Sequence, residues 1–131
     1  MSLTHTITRA YRDSSGNSIT STENITDDSE NDLDIQIAVS TTNELINWNA
    51  IRADLKSLSI SCDQALTIKT NSSGSPTDTI TLSAGQNIIW SYQTDGLSHC
   101  PFSADITTGI YVTNPSSTLV ANFKIRAIQH V

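Results

Sequence analysis

Strict alternation of apolar and polar side chains is the feature that most limits what this chain can become. In Leu33-Asp34-Ile35-Gln36-Ile37-Ala38-Val39 the odd positions are apolar and the even ones mostly polar, the period of an extended chain with one buried face. The same period recurs in Leu58-Ser59-Ile60-Ser61-Cys62, Leu66-Thr67-Ile68, Ile80-Thr81-Leu82, Ile88-Ile89-Trp90-Ser91-Tyr92, Ile110-Tyr111-Val112 and Phe123-Lys124-Ile125-Arg126. Turn-forming residues separate these runs: Asp63-Gln64, Asn71 to Pro76, Ser83 to Gln86, Thr94-Asp95-Gly96 and Asn114 to Ser117. Such returns are too short for the helical crossovers of a parallel sheet. The pattern predicts an all-β fold, an antiparallel β-sandwich or jelly-roll-like domain. Leu33, Ile35, Ile37, Leu58, Ile60, Ile68, Ile80, Leu82, Trp90, Val112, Phe123 and Ile125 are its expected inward residues.

Composition points the same way. Ser (19) and Thr (18) together exceed a quarter of the 131 residues, and Ile (16) outnumbers Leu (9) and Ala (9), which favours pleated surfaces over helices. One domain is the expectation at this length. No apolar run reaches ten residues, far short of the roughly 20 of a membrane-spanning helix. Met1 to His5 also lacks the basic and apolar regions of a secretory signal.

The first part of the chain reads differently. A hairpin is expected from Leu3 to Ile25 around Ser14-Ser15-Gly16-Asn17, with arms rich in Thr and poor in large apolar groups. Such arms bury too little to order themselves, so they must pair with the body or with another chain. Residues 1–34 are therefore read as an N-terminal strand-prone arm with an acidic segment, and 35–131 as the sandwich body. Between Glu44 and Leu58 the spacing of Trp48, Ile51, Leu55 and Leu58 fits a helical turn, while Ile46, Trp48 and Ala50 fit a strand equally well.

Charge is unevenly distributed. The net charge is −6, from 7 basic and 13 acidic residues, with eight acids and no base between Asp13 and Glu44. Three Lys in the whole chain are too few for a protein built to displace counterions from a nucleic acid. The densest stretch is Asp27-Asp28-Ser29-Glu30-Asn31-Asp32-Leu33-Asp34. It departs from the calcium-binding EF-hand loop, whose sixth and twelfth places need Gly and Glu and here, counted from Asp28, hold Leu33 and Val39. Asp27, Asp28, Glu30, Asp32 and Asp34 read instead as a charged face that meets a partner's basic surface or discourages edge pairing.

Catalytic and metal motifs are lacking. His5, His99 and His130 are far apart in sequence, and His99-Cys100 is not a ligand pair with the spacing of CxxC or HExxH. Adjacent residues on an extended chain face opposite ways, so these two make a poor catalytic dyad. Cys62 is in phase with Leu58 and Ile60 and reads as a core residue. No metal, cofactor or enzymatic activity is expected. Trp48, Trp90, Tyr92, Phe102 and Tyr111 could form a sugar-stacking platform, but Trp90 and Tyr92 share the phase of Ile88 and read as one buried stripe, with Tyr111 on an opposite face.

From Leu55 onward a set of segments resembles small virion proteins of tailed bacteriophages. They are Leu55-Lys56-Ser57-Leu58, Ala65 to Leu82 with its TIKTNSSGSPTDTITL run, Asn87-Ile88-Ile89-Trp90, Pro101-Phe102, Ile110-Tyr111-Val112-Thr113-Asn114 and Leu119 to Arg126. The resemblance implies a non-enzymatic capsid decoration, or cement, protein that binds the assembled head and stabilises contacts between capsomers. Its implied partners are the major capsid protein and other copies of itself, as a homo-oligomer (dimer or trimer), without direct nucleic-acid or membrane contact. It implies synthesis in the host bacterial cytoplasm, where Cys62 and Cys100 stay reduced, and residence on the capsid surface. A tail or neck accessory protein, and a glycan-binding β-sandwich module for host attachment, are the alternative expectations.

Overall fold

The computed structural model describes residues 3–130. It is an all-β, sandwich-like fold of antiparallel sheets, with 55% of residues in strands and 8% in helices. Eleven strands occur among the described residues: β1 (Leu3–Arg12), β2 (Ser18–Asp27), β3 (Ser29–Glu30), β4 (Leu33–Ile37), β5 (Thr41–Ile46), β6 (Leu55–Cys62), β7 (Leu66–Thr70), β8 (Thr79–Leu82), β9 (Asn87–Ser91), β10 (Ile110–Asn114) and β11 (Ala121–Gln129). One sheet runs β5-β10-β7-β8. The other runs β3-β11-β6-β9, with β4 following β3 along the same edge of β11. Among the described residues β1 and β2 pair only with each other, as a separate two-stranded sheet.

The core lies between the two larger sheets, where the alternating stripes meet. Ile37, Leu58, Ile60, Ile68, Leu82, Trp90, Val112, Phe123 and Ile125 are buried there. Leu33, Ile35 and Ile80 pack against the same cluster but stay half-buried. Burial of the Trp90 ring is completed by its indole N–H, which donates to Gly96 O at 2.8 Å.

Irregular segments complete the core. Trp48 is buried beyond the end of β5 against Phe102, with ring centroids 5.8 Å apart at 45°. The helical pattern from Trp48 to Leu58 survives only as a single 3-10 turn, Arg52–Asp54, and Ile51 is exposed. Arg52 pins the adjoining loop, donating from Nε to Phe102 O and from Nη2 to Leu97 O, both at 2.6 Å. Asn114 is fully buried and its amide donates to the carbonyls of Ile37, Ala38 and Leu119, which ties the β4 end to the β10–β11 connection and satisfies groups that would be costly to leave unpaired.

One aromatic expectation is corrected. Tyr92 does not continue the Trp90 stripe: it is 47% exposed. The strand ends at Ser91, whose hydroxyl accepts from Thr94 N–H and caps the one-turn helix α1 (Tyr92–Asp95), so the period of two stops one residue before Tyr92.

Candidate interaction surface

The hairpin and the acidic segment after it form the surface richest in charged chemistry. Asp13 closes the turn: its Oδ1 accepts from the N–H groups of Ser15 and Asn17, and Gly16 takes φ +88°, where glycine is favoured. From there β1 and β2 run in unbroken register from Arg12↔Ser18 to Leu3↔Asp27. One face carries a ladder of hydroxyls and amides, Thr4 with Thr26 at 2.8 Å and Thr6 with Asn24 at 2.9 Å. The other face carries Leu3, His5, Ile7, Arg9 and Tyr11 opposite Asp27, Ile25, Glu23, Ser21 and Ile19.

That second face lies on the body only at its base. Ile25 is buried, Leu3, His5, Ile7, Arg9 and Glu23 are half-buried, and residues 10–22 are all exposed. Polar contacts fix the seam. Arg9 Nη2 donates to Asp95 Oδ2 at 2.7 Å and its Nη1 lies 3.8 Å from Glu23 Oε1, while Ser91 Oγ donates to the same Glu23 oxygen at 2.7 Å. The fit is imperfect at Ser57, buried on β6 beside β1, whose hydroxyl finds no hydrogen-bond partner among the described residues.

The structure places the five acids of the sequence reading along this seam and engages them within the chain. Asp27 Oδ1 lies 3.0 Å from His130 Nδ1, and Asp28 Oδ2 lies 3.8 Å from the same nitrogen. Glu30 meets His5 Nε2 at 3.3 Å. Asp32 accepts from Ala127 N–H at 3.2 Å, and Asp34 pairs with Arg126 Nη2 at 3.2 Å. Glu30, Asp28, Asp32 and Asp34 nonetheless remain exposed, so they also present negative charge outward. The His130 hydrogen bond and charge pull the Asp27 carboxyl below its ordinary range, and the reciprocal hydrogen bond raises His130.

Sequence reading missed His5 and His130, which carry no local signal. Folding turns each into the centre of a triad, His5 with Glu30 and Asp32, and His130 with Asp27 and Asp28, each set with its ligand atoms within 4.8 Å of one another. These donors could hold a divalent cation. As they stand, His5 pairs with Glu30 and His130 with Asp27 and Asp28, which fastens the hairpin base, while Asp32 is engaged by Ala127 N–H.

The remaining candidates are spread through the body. Cys62 and Cys100 are free thiols, and burial pushes both upward from the ordinary thiol range, which keeps them protonated and unreactive near neutral pH. Trp48, Trp90 and Phe102 are core residues, leaving Tyr92 as the exposed aromatic of the group, with Lys56 Nζ 4.7 Å from its ring centroid. That pair lines a groove of about 600 Å3 beside Asn24 to Asp27 and Gln93. No helix among the described residues is long and apolar enough to cross a membrane. No family model, no curated protein and no solved structure matches this chain.

Proposed function

We propose that this chain is a non-enzymatic structural protein of a tailed-phage virion, most simply a capsid decoration protein that attaches to the assembled head through its N-terminal hairpin and acidic segment. The observation that carries this reading is the hairpin itself: two ten-residue strands joined to the body at one end, exposed from residue 10 to residue 22, and with no strand among the described residues paired to either outer edge. An open strand edge is a template for adding another polypeptide. The exposed acids beside it suit a basic patch on a capsid surface and would speed and orient docking. The resemblance of the Leu55 to Arg126 segments to small phage virion proteins supports the same assignment, as does the absence of a catalytic motif from the sequence.

Co-sedimentation of the purified protein with assembled tailed-phage heads tests it. Saturable binding to heads that weakens as salt rises is the expected result. Binding to isolated tails or necks instead would move the protein to a tail or neck position. Binding to host glycans, with none to virion particles, would replace the proposal by host attachment.

A further inference from the structure

We infer that copies of this chain associate with one another through the overhanging half of the hairpin, the β1 edge of one copy adding as a strand to the β2 edge of the next. Three independent features carry this. The first is a gradient along one face: Ile25 is buried and Ile7 half-buried against the body, whereas Tyr11 and Ile19, directly opposite each other on the same face, are 69% and 73% exposed. The apolar face continues past the surface that covers it.

The second feature is that both outer edges are long and regular. Natural edge strands are blunted by lysine, proline, bulges or short length. β1 and β2 are ten residues each, contain neither Lys nor Pro, and pair without a register shift. Arg12 projects at the open end without a charged partner among the described residues.

The third feature is charge sorting, which selects the partner and the arrangement. The chargeable side chains of β1 are His5, Arg9 and Arg12, and those of β2 are Glu23 and Asp27. Pairing β1 with β1, or β2 with β2, sets like charges side by side. Pairing β1 with β2 of another copy repeats the alternation already present inside the hairpin and keeps the strands antiparallel, so all the hairpins point one way. Their Tyr11 and Ile19 side chains then gather on one shared face, and the Thr ladder stays toward solvent. An interface of this head-to-tail kind closes into a ring or, without closure, extends as a filament.

The inference shares with the proposed function only the premise that the hairpin is free to make contacts, and it is tested on the isolated protein. Sedimentation velocity should show concentration-dependent oligomers of the wild type. The Tyr11→Lys, Ile19→Lys double variant should associate at least about tenfold more weakly with unchanged circular dichroism, both positions being exposed. The arrangement is read by cysteine cross-linking, because Ala10 and Thr20 are register partners. A mixture of Ala10→Cys and Thr20→Cys proteins should form a disulfide-linked pair that neither forms alone. A monomeric wild type, oligomers indifferent to the double variant, or cross-links in the single-variant samples only would each overturn the inference. Monomers that still bind heads would overturn it while leaving capsid attachment standing.

Discussion

Asp27 and His130 are 103 positions apart, yet Asp27 Oδ1 and His130 Nδ1 lie 3.0 Å from each other, closing the base of the hairpin onto the end of the last strand. Three further pairs, His5 with Glu30, Arg9 with Asp95 and Ser91 with Glu23, continue the same seam. Charged and polar contacts therefore do much of the holding where apolar area is small.

This seam should be pH-dependent. The hydrogen bond to Asp27, with Asp28 and Asp54 nearby, raises His130 above its ordinary 6.5, and the bond to His130 lowers Asp27 below 3.8. The raised group contributes stability that is complete below about 6.5 and lost as pH rises through its folded value. The lowered group contributes stability present above about 3.8 and lost as pH falls through its folded value. Protection of the hairpin amides near Thr26, taken as the ratio of intrinsic to observed exchange rate at each pH, should thus be greatest between these limits and smaller at pH 8. In His130→Gln that maximum should disappear, and an unchanged protection profile in that variant would refute the assignment.

Replacing Trp90 with Ala should cost about 3–5 kcal/mol, since it removes a buried ring and the indole hydrogen bond to Gly96 O. Chemical denaturation measures it. A loss below about 1 kcal/mol is what an exposed aromatic would give.

Gly109 sits at φ +83°, and a Cβ there would stand 2.6 Å from Ile46 O. Gly109→Ala should therefore destabilise by more than the roughly 1–2 kcal/mol of the left-handed conformation alone, because backbone has to move. The same assay decides it, and a near-neutral result would mean that β5 yields easily.

Ser57→Ala should leave stability unchanged or raise it by about 1 kcal/mol, against the usual direction of core substitutions, because the buried hydroxyl it removes has no partner. A clear loss would show that the hydroxyl is satisfied in solution.

Removal of residues 1–30 should leave a folded body that no longer attaches to heads. Neutralising Asp27, Asp28, Glu30 and Asp32 should weaken attachment most at low salt, since exposed charges are screened within about 10 Å at 0.1 M. Full binding by the truncated protein would remove the hairpin from the attachment surface. In both variants the melting temperature must be followed, because β3 pairs with β11 and Asp27 and Asp32 bond to the body.

Most of the strands and much of the core were determined by the sequence alone, because alternation is a local property: Leu58, Ile60, Phe123 and Ile125 announce their buried face through neighbours two residues away, whereas β5 (Thr41–Ile46) carries no such stripe. The hairpin was equally legible, since Asp13 to Asn17 hold a complete turn. What only the tertiary structure decided are the relationships between distant residues. Nothing around His5 or His130 marks either as a partner of Glu30 or Asp27, and nothing near Trp48 or Phe102 shows that two irregular segments would stack them in the core. Tyr92 failed for the related reason that a cap at Ser91 ends the strand, and a period cannot report where it stops. The exposure of Tyr11 and Ile19 is the clearest case. Their spacing matches that of the buried Ile25, and only the extent of the body beneath the hairpin leaves them uncovered.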